Sequence, residues 1–328
     1  MSIFKKFVLV FRMRSPKMSE EKLQKLVKVY LKGREESTLR SYESSFRMLG
    51  GLCEELGLSV FRLGEEARCY LWVEAREKKF SVAKVRGFSA VIALLQEVMG
   101  EEENLSRREK TLKKALAKES NLENTKRMRV PGTWMDVKSI MLEAERKNKK
   151  KDWRLAMMVV MCYFGCRRFS DIAKLKVKDL VISDEEVKVF MKKQKTDVLN
   201  DGDSFKMVAK GGDISIKKFL ESYIDRLGLK KLDSLFPRKL KEGSLEEAVS
   251  YSVMYKELEN AKTTLRLDEN LTWHSFRIGA ATRGNALGIR RTVMKKAGNW
   301  KSDAVDIYCK ELEAGIVLSR ALLDDARD

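Results

Sequence analysis

Histidine occurs once in this chain, at position 274, and proline three times, at 16, 131 and 237. The five cysteines, at 53, 69, 162, 166 and 309, are odd in number and scattered. They offer no disulfide framework, and with one histidine they leave no zinc site of the usual ligand count. A reducing, intracellular setting without a metal cofactor is therefore expected. Scarce proline suits a mainly helical chain. No apolar run approaches the ~20 residues of a membrane span. The short run in M-S-I-F-K-K-F-V-L-V-F-R-M-R is closed by Arg12 and Arg14, so residues 1–17 read as a basic arm. Acidic residues are missing altogether from Thr272 to Lys301, where seven Lys or Arg occur.

Basic residues are plentiful. The formal charge is +19 over 328 residues, a length that predicts two domains. The excess is shared, with 28 basic against 18 acidic residues in 1–130 and 39 against 30 in 131–328. Positive excess in both halves fits a polyanion held from two sides, because neutralised phosphates release counterions. A lysine-rich but merely soluble protein is the plainer alternative.

From residue 18 to 118 the pattern predicts a helical domain. Leu23, Leu26, Val27 and Tyr30 share one face, and Ser37 or Thr38 caps a second helix carrying Leu39, Tyr42, Phe46 and Leu49. Gly50-Gly51 weakens its middle and Gly57 ends it. Further helices are predicted over 65–78, 81–99 and 105–117. Residues 119–133 are polar, then basic, and include Pro131-Gly132, which predicts a linker.

The second domain, 134–328, opens with helices over 134–147 and 152–164, the latter apolar enough to be central. Strands are predicted over 176–182, 187–191 and 204–208. Helices then follow over 214–227, 250–266, 274–287, 290–297 and 302–319. The expected fold class is mainly α, an all-helical domain followed by helices with one small antiparallel sheet.

Several residues suit chemistry on a phosphate, each with a plainer alternative. Arg168 has Asp171 three residues on, close enough to orient a guanidinium for a bidentate grip, though the two also suit a structural pair. His274 and Arg277 share a helix face near its positive end, where a proton carrier and an oxyanion holder work together. A lone histidine is otherwise a core residue. Tyr308 is a weak nucleophile by itself, since its unperturbed pKa is near 10, and taken singly it reads as core or surface.

Taken in order, Arg168-x-x-Asp171, Lys195-Thr196, His274-x-x-Arg277, Gly298-x-Trp300 and Tyr308 resemble the tyrosine recombinase (phage integrase) family. The phrases F-G-C-R-R-F-S-D, K-K-Q-K-T-D, H-S-F-R-I-G-A-A-T and G-N-W-K-S-D-A carry the likeness over roughly 134–310. The first domain, with S-T-L-R-S-Y, is similar to that family's core-binding domain.

The resemblance implies a site-specific recombinase or integrase of the mobile-element kind, acting on double-stranded DNA without metal or ATP. It implies that Tyr308 attacks the scissile phosphate, forming a 3′-phosphotyrosyl bond and releasing a 5′-hydroxyl. Arg168 and Arg277 would clamp the non-bridging oxygens and Lys195 would protonate the leaving oxygen. His274 would assist proton transfer and Trp300 would hydrogen-bond the phosphate through its indole N–H. Two positions stay open: Asn299 stands nine residues before Tyr308 and Trp300 eight, and Lys192 and Lys193 rival Lys195. The amphipathic stretch 311–323 either packs on its own domain or docks into a neighbour within a homotetramer on paired DNA sites. A type IB topoisomerase-like enzyme shares this chemistry, and a non-catalytic DNA-binding protein shares the fold. The separate helical domain and the retained groups favour the recombinase.

Overall fold

The computed structural model describes residues 8, 17, 19–32, 34, 36–99, 106–123, 130–191, 203–212, 214–240, 245–300 and 305–306. It divides into two compact units between Lys126 and Arg127. Among the described residues no helix is long and apolar enough to cross a membrane.

The first unit contains α1 (Glu20–Lys32), α2 (Glu36–Glu55), α3 (Glu65–Glu77), α4 (Val82–Met99) and α5 (Arg107–Glu123). Apolar residues at helical spacing form its core: Leu23 and Val27 of α1, Phe46, Leu49 and Leu52 of α2, Leu71 and Trp72 of α3, and Phe88, Val91 and Leu95 of α4. Val8 is buried in the same core, so the expected arm is tied down at this point. Helix α2 runs through Gly50-Gly51 because the residues around the pair are anchored in the core, outweighing a cost of about 1 kcal/mol per glycine. Gly57, at φ 66°, terminates the helical stretch in the left-handed region. Glu109 ties α5 to α3. Its fully buried carboxylate accepts from Arg68 Nε at 3.0 Å and Trp72 Nε1 at 2.9 Å.

The second unit is built around α7 (Lys150–Phe164), buried continuously from Trp153 to Tyr163. Burying each such Leu, Val or Met side chain contributes about 1.5–3 kcal/mol, which fixes this helix at the centre. Around it stand α6 (Trp134–Lys147), the single-turn α8 (Phe169–Ile172), α9 (Ile216–Leu227), α10 (Tyr251–Leu265) and α11 (Trp273–Ala286), with α12 (Arg291–Ala297) packed on α11. Strands β1 (Leu180–Ile182), β2 (Glu186–Met191) and β3 (Asp203–Val208) form an antiparallel sheet in sequence order, in which Leu180 pairs Val189 and Val189 pairs Phe205. Val187, Val189, Met191, Phe205 and Met207 face the core, the period-two alternation expected of a half-buried sheet. The described residues are thus mainly helical with a small three-stranded antiparallel sheet, as the pattern predicts.

Three local expectations are corrected. Residues 176–182 are not one strand: Val177–Asp179 is a 3-10 turn, because the Asp179 carboxylate accepts from the Lys176 N–H at 2.8 Å and curls the backbone. A two-residue hairpin, β4 (Lys210–Gly211) with β5 (Ile214–Ser215), precedes α9 and is too short to leave a periodic signal. The predicted linker 119–133 is structured at both ends, with α5 continuing to Glu123 and residues 130–133 packing on α11.

That packing positions the helix carrying His274 and Arg277. The Gly132 N–H donates to the Ser275 carbonyl at 2.8 Å, and a Cβ on Gly279 would lie 1.7 Å from the Gly132 carbonyl oxygen. Glycine at 279 is required by a crossing peptide, not by a turn. Gly279→Ala is expected to destabilise the second domain by about 3 kcal/mol, at the upper end of overpacking costs, because the obstacle is backbone. Urea unfolding followed by tryptophan fluorescence measures this, since four of the five tryptophans lie in that domain. A variant as stable as its parent would mean that the Gly132 segment lifts freely from α11.

Candidate active site

The turn after α7 separates two adjacent arginines. Gly165 leaves no room for a side chain, since a Cβ there would meet the Phe205 ring at 2.5 Å and the Met161 carbonyl oxygen at 2.6 Å. Cys166 then adopts a left-handed conformation (φ 50°), an uncommon one for a residue with a side chain. The reversal buries Arg167, at 1% exposure, with its guanidinium 4.9 Å from the centroid of the Phe205 ring. It leaves Arg168 outside, with 48% of its side chain exposed. Of the two arginines, Arg168 is the one that a large anionic ligand can reach. Asp171 organises the turn by accepting from the Arg168 backbone N–H at 3.1 Å.

Helix α11 begins at the cap residue Thr272, whose N–H donates to Ser275 Oγ at 3.0 Å. Trp273, Ser275 and Phe276 are buried, which seats the first turn in the core and leaves His274 half-buried. Lys262 of α10 supports the entry to this helix, its ammonium donating to the Leu271 carbonyl at 3.2 Å.

Arg277 is fully buried, one turn into the helix. Its Nη1 donates to the Cys166 carbonyl at 2.9 Å and lies 3.9 Å from Asp171 Oδ2. The same carboxylate oxygen is 4.0 Å from Arg168 Nη1, so Asp171 stands between the two guanidiniums. Nε and Nη2 of Arg277 are buried with no hydrogen-bond partner among the described residues. Burial, and then the charge of Arg168, pushes the Arg277 pKa down to about 10. The group is a desolvated cation with spare donors, which is costly unless an anion completes it.

Trp300 covers the Arg277 face, with the guanidinium carbon 4.0 Å from the ring centroid. The Gly298-Asn299-Trp300 sequence makes this fold-back. Asn299 is left-handed at φ 52°, the Trp300 N–H donates to the Lys295 carbonyl at 2.9 Å, and a Cβ on Gly298 would fall 1.9 Å from the indole. Trp300 is thereby 7% exposed, in a satellite cluster with Ala281, Met294 and Val305.

Arg168 and Arg277 are thus brought together around Asp171, with Trp300 on the face of Arg277 and His274 one turn before Arg277 on the same helix. Lys195, with its rivals Lys192 and Lys193, lies outside the described residues between β2 and β3. Tyr308 also lies outside them, as does the stretch 311–323. Sequence reasoning missed the Cys166 carbonyl as an acceptor for Arg277. It also missed Gly132 and Gly279 as the pair that seats α11. Backbone acceptors carry no residue signal, but the glycines in V-P-G-T and R-I-G-A-A were a usable one.

The family described as "Phage integrase family" matches residues 133–313. No curated protein matches. Among solved structures, the XerH site-specific recombinase bound to a palindromic difH substrate is similar, with a TM-score of 0.61 and 13% identity over 93% of this chain and 84% of that one. The Tn1549 transposon integrase in complex with transposon right end DNA has a TM-score of 0.60 and 12% identity over 98% and 99%. A lambda integrase dimer bound to a COC′ core site has a TM-score of 0.56 and 15% identity over 86% and 73%.

Because Arg277 is the under-partnered member of its cluster, Arg277→Met is expected to cost less than about 1 kcal/mol of stability in the DNA-free protein. Stripping a buried charge of its partner usually costs 3–5 kcal/mol. Urea unfolding at pH 7 tests the difference. The sign of the pH dependence follows from the lowered pKa. The burial penalty is fully present below about pH 10, where Arg277 is charged folded and unfolded. It fades as pH rises through the folded pKa toward the higher unfolded one, because the unfolded chain then holds the extra proton. This contribution should be absent from the Met variant.

Proposed function

The chain belongs to the phage integrase family, and we propose that it is a site-specific DNA recombinase that cuts and rejoins duplex DNA through a 3′-phosphotyrosyl intermediate. The observation that carries this reading is the buried Arg277, whose Nε and Nη2 have no hydrogen-bond partner among the described residues, beside the exposed Arg168. Two guanidiniums sharing a single carboxylate leave net positive charge for a phosphate to neutralise. Donors set in advance for developing charge need no reorganisation during the reaction.

In this reading Tyr308 Oη attacks the scissile phosphorus, forming the Tyr–O–P bond as the P–O5′ bond breaks. The tyrosine proton leaves with help from His274, and Lys195 gives a proton to the departing 5′-oxygen. Arg168 and Arg277 hold the non-bridging oxygens. Trp300 covers the Arg277 guanidinium with its ring face, and in this reading its indole N–H is a further donor to the phosphate. The phosphodiester energy stays in the phosphotyrosine, so a second 5′-hydroxyl recloses the strand without ATP, and arginines take the charge that a metal would otherwise balance. The working assembly is a homotetramer on two paired DNA sites, joined through the amphipathic stretch 311–323, and the protein is DNA-associated.

The test is covalent trapping on a nicked suicide duplex drawn from a random library. Wild type is expected to form an adduct, and Tyr308→Phe to form none while binding DNA within about twofold of wild type, since the phosphate grip lies elsewhere. Lys195→Ala should slow cleavage roughly 10²-fold or more, the usual worth of a positioned acid. An adduct in the Phe variant would refute Tyr308 as nucleophile. Adducts without strand transfer between two sites would instead point to a topoisomerase-like enzyme.

A further inference from the structure

Two neighbouring residues just ahead of Tyr308 are pinned by opposite chemistries. Val305 is fully buried in the satellite cluster with Ala281, Met294 and Trp300, the last of which stacks on Arg277. Asp306 forms an ion pair with Arg291, the first residue of α12, Oδ1 to Nε at 2.6 Å. The side chains are 45% exposed for Arg291 and 19% for Asp306, and Asp306 Oδ1 accepts no hydrogen bond among the described residues, so the contact is a charge pairing and not a directed bond. Both contacts run to elements that build the phosphate site: Ala281 lies one turn beyond Arg277 on α11, and α12 leads directly into Gly298-Asn299-Trp300.

We propose that the Asp306–Arg291 ion pair is a latch that positions the nucleophile. Val305 supplies depth, since an apolar side chain in a closed cluster holds its backbone at one level. It does not set rotation about that anchor, because packing is non-directional. The ion pair adds a second anchor point by holding the charge of the next residue against Arg291 at the start of α12, and two neighbouring anchors limit rotation where one does not. Two residues of chain span at most about 7 Å, so holding residue 306 confines where residue 308 can go. Arg291 and Asp306 are therefore positioning residues: neither is asked to touch the phosphate. The inference rests on Tyr308 being the nucleophile.

Misplacing a reacting group by 1 Å costs roughly 10²-fold in rate. Asp306→Asn, which keeps the shape and removes the charge, is expected to slow adduct formation on the suicide duplex about 10- to 100-fold at saturating DNA. DNA affinity and the urea midpoint should stay close to wild type, so the loss appears in the rate of chemistry and not in binding. The exchange Arg291→Asp with Asp306→Arg restores opposite charges across the same gap and should recover most of the rate. Saturating DNA keeps any effect of the altered charge on affinity out of this comparison. If Asp306→Asn does not fold, the exchange variant decides alone: a folded exchange protein cleaving near the wild-type rate supports the latch.

Wild-type cleavage by folded Asp306→Asn would overturn the proposal. So would an exchange variant as slow as the single one. A wild-type protein that forms no adduct, or a Tyr308→Phe variant that forms one, removes the nucleophile assignment and the latch with it. A latch failure alone leaves both of those controls intact.

Discussion

A fully buried guanidinium, with two donor nitrogens unused among the described residues, is the constraint around which the second domain is arranged. Arg277 cannot be solvated, because α11 is seated against α7 and the Trp300 ring lies over its face. It is not neutralised by a dedicated carboxylate either, because Asp171 stands equally close to Arg168. The protein therefore holds its cation in a state that water, or an abundant acid, would have relieved. Such strain persists only where the surroundings over-determine it. Here they do, through the Cys166 carbonyl, the indole ring and the Gly132 peptide behind α11.

Each support comes from a different stretch of chain, which explains several otherwise odd residues. The left-handed Cys166 presents its carbonyl to Arg277 while sending Arg167 inward and Arg168 outward. Gly298 has no side chain because Trp300 occupies that space, and Gly279 none because the Gly132 carbonyl does. The satellite cluster of Ala281, Met294, Trp300 and Val305 separates from the main core and serves the site. Its small size fits its task. It orients three chain segments, while the main core around α7 carries the bulk of the stability.

Much of the fold was legible in the residues. Helical spacing places α1 to α4, α6, α7 and α9 to α12 close to their observed ends, because the apolar period is a local signal, whereas the single turn α8 is too short to leave one. Boundaries failed where a single contact, near or far in sequence, decided them. Helix α5 outlasts its apolar pattern, and the Asp179 side chain turns a predicted strand into a 3-10 turn. The supposed linker ends in a packed peptide because its partner, α11, lies more than 140 residues away in sequence.

Residue types and their order determined the chemical class: a basic stretch without acids, one histidine three residues before an arginine, and a tyrosine downstream point to work on a phosphate. Types and order could not say which of two adjacent arginines faces solvent, or that a tryptophan would lie on Arg277. Nor could they pair Arg291 with Asp306. Those outcomes depend on backbone handedness at Cys166 and Asn299 and on contacts between segments far apart in the chain. Only tertiary structure decided them, because a side chain's direction is set by the packing of elements that its own neighbours do not encode.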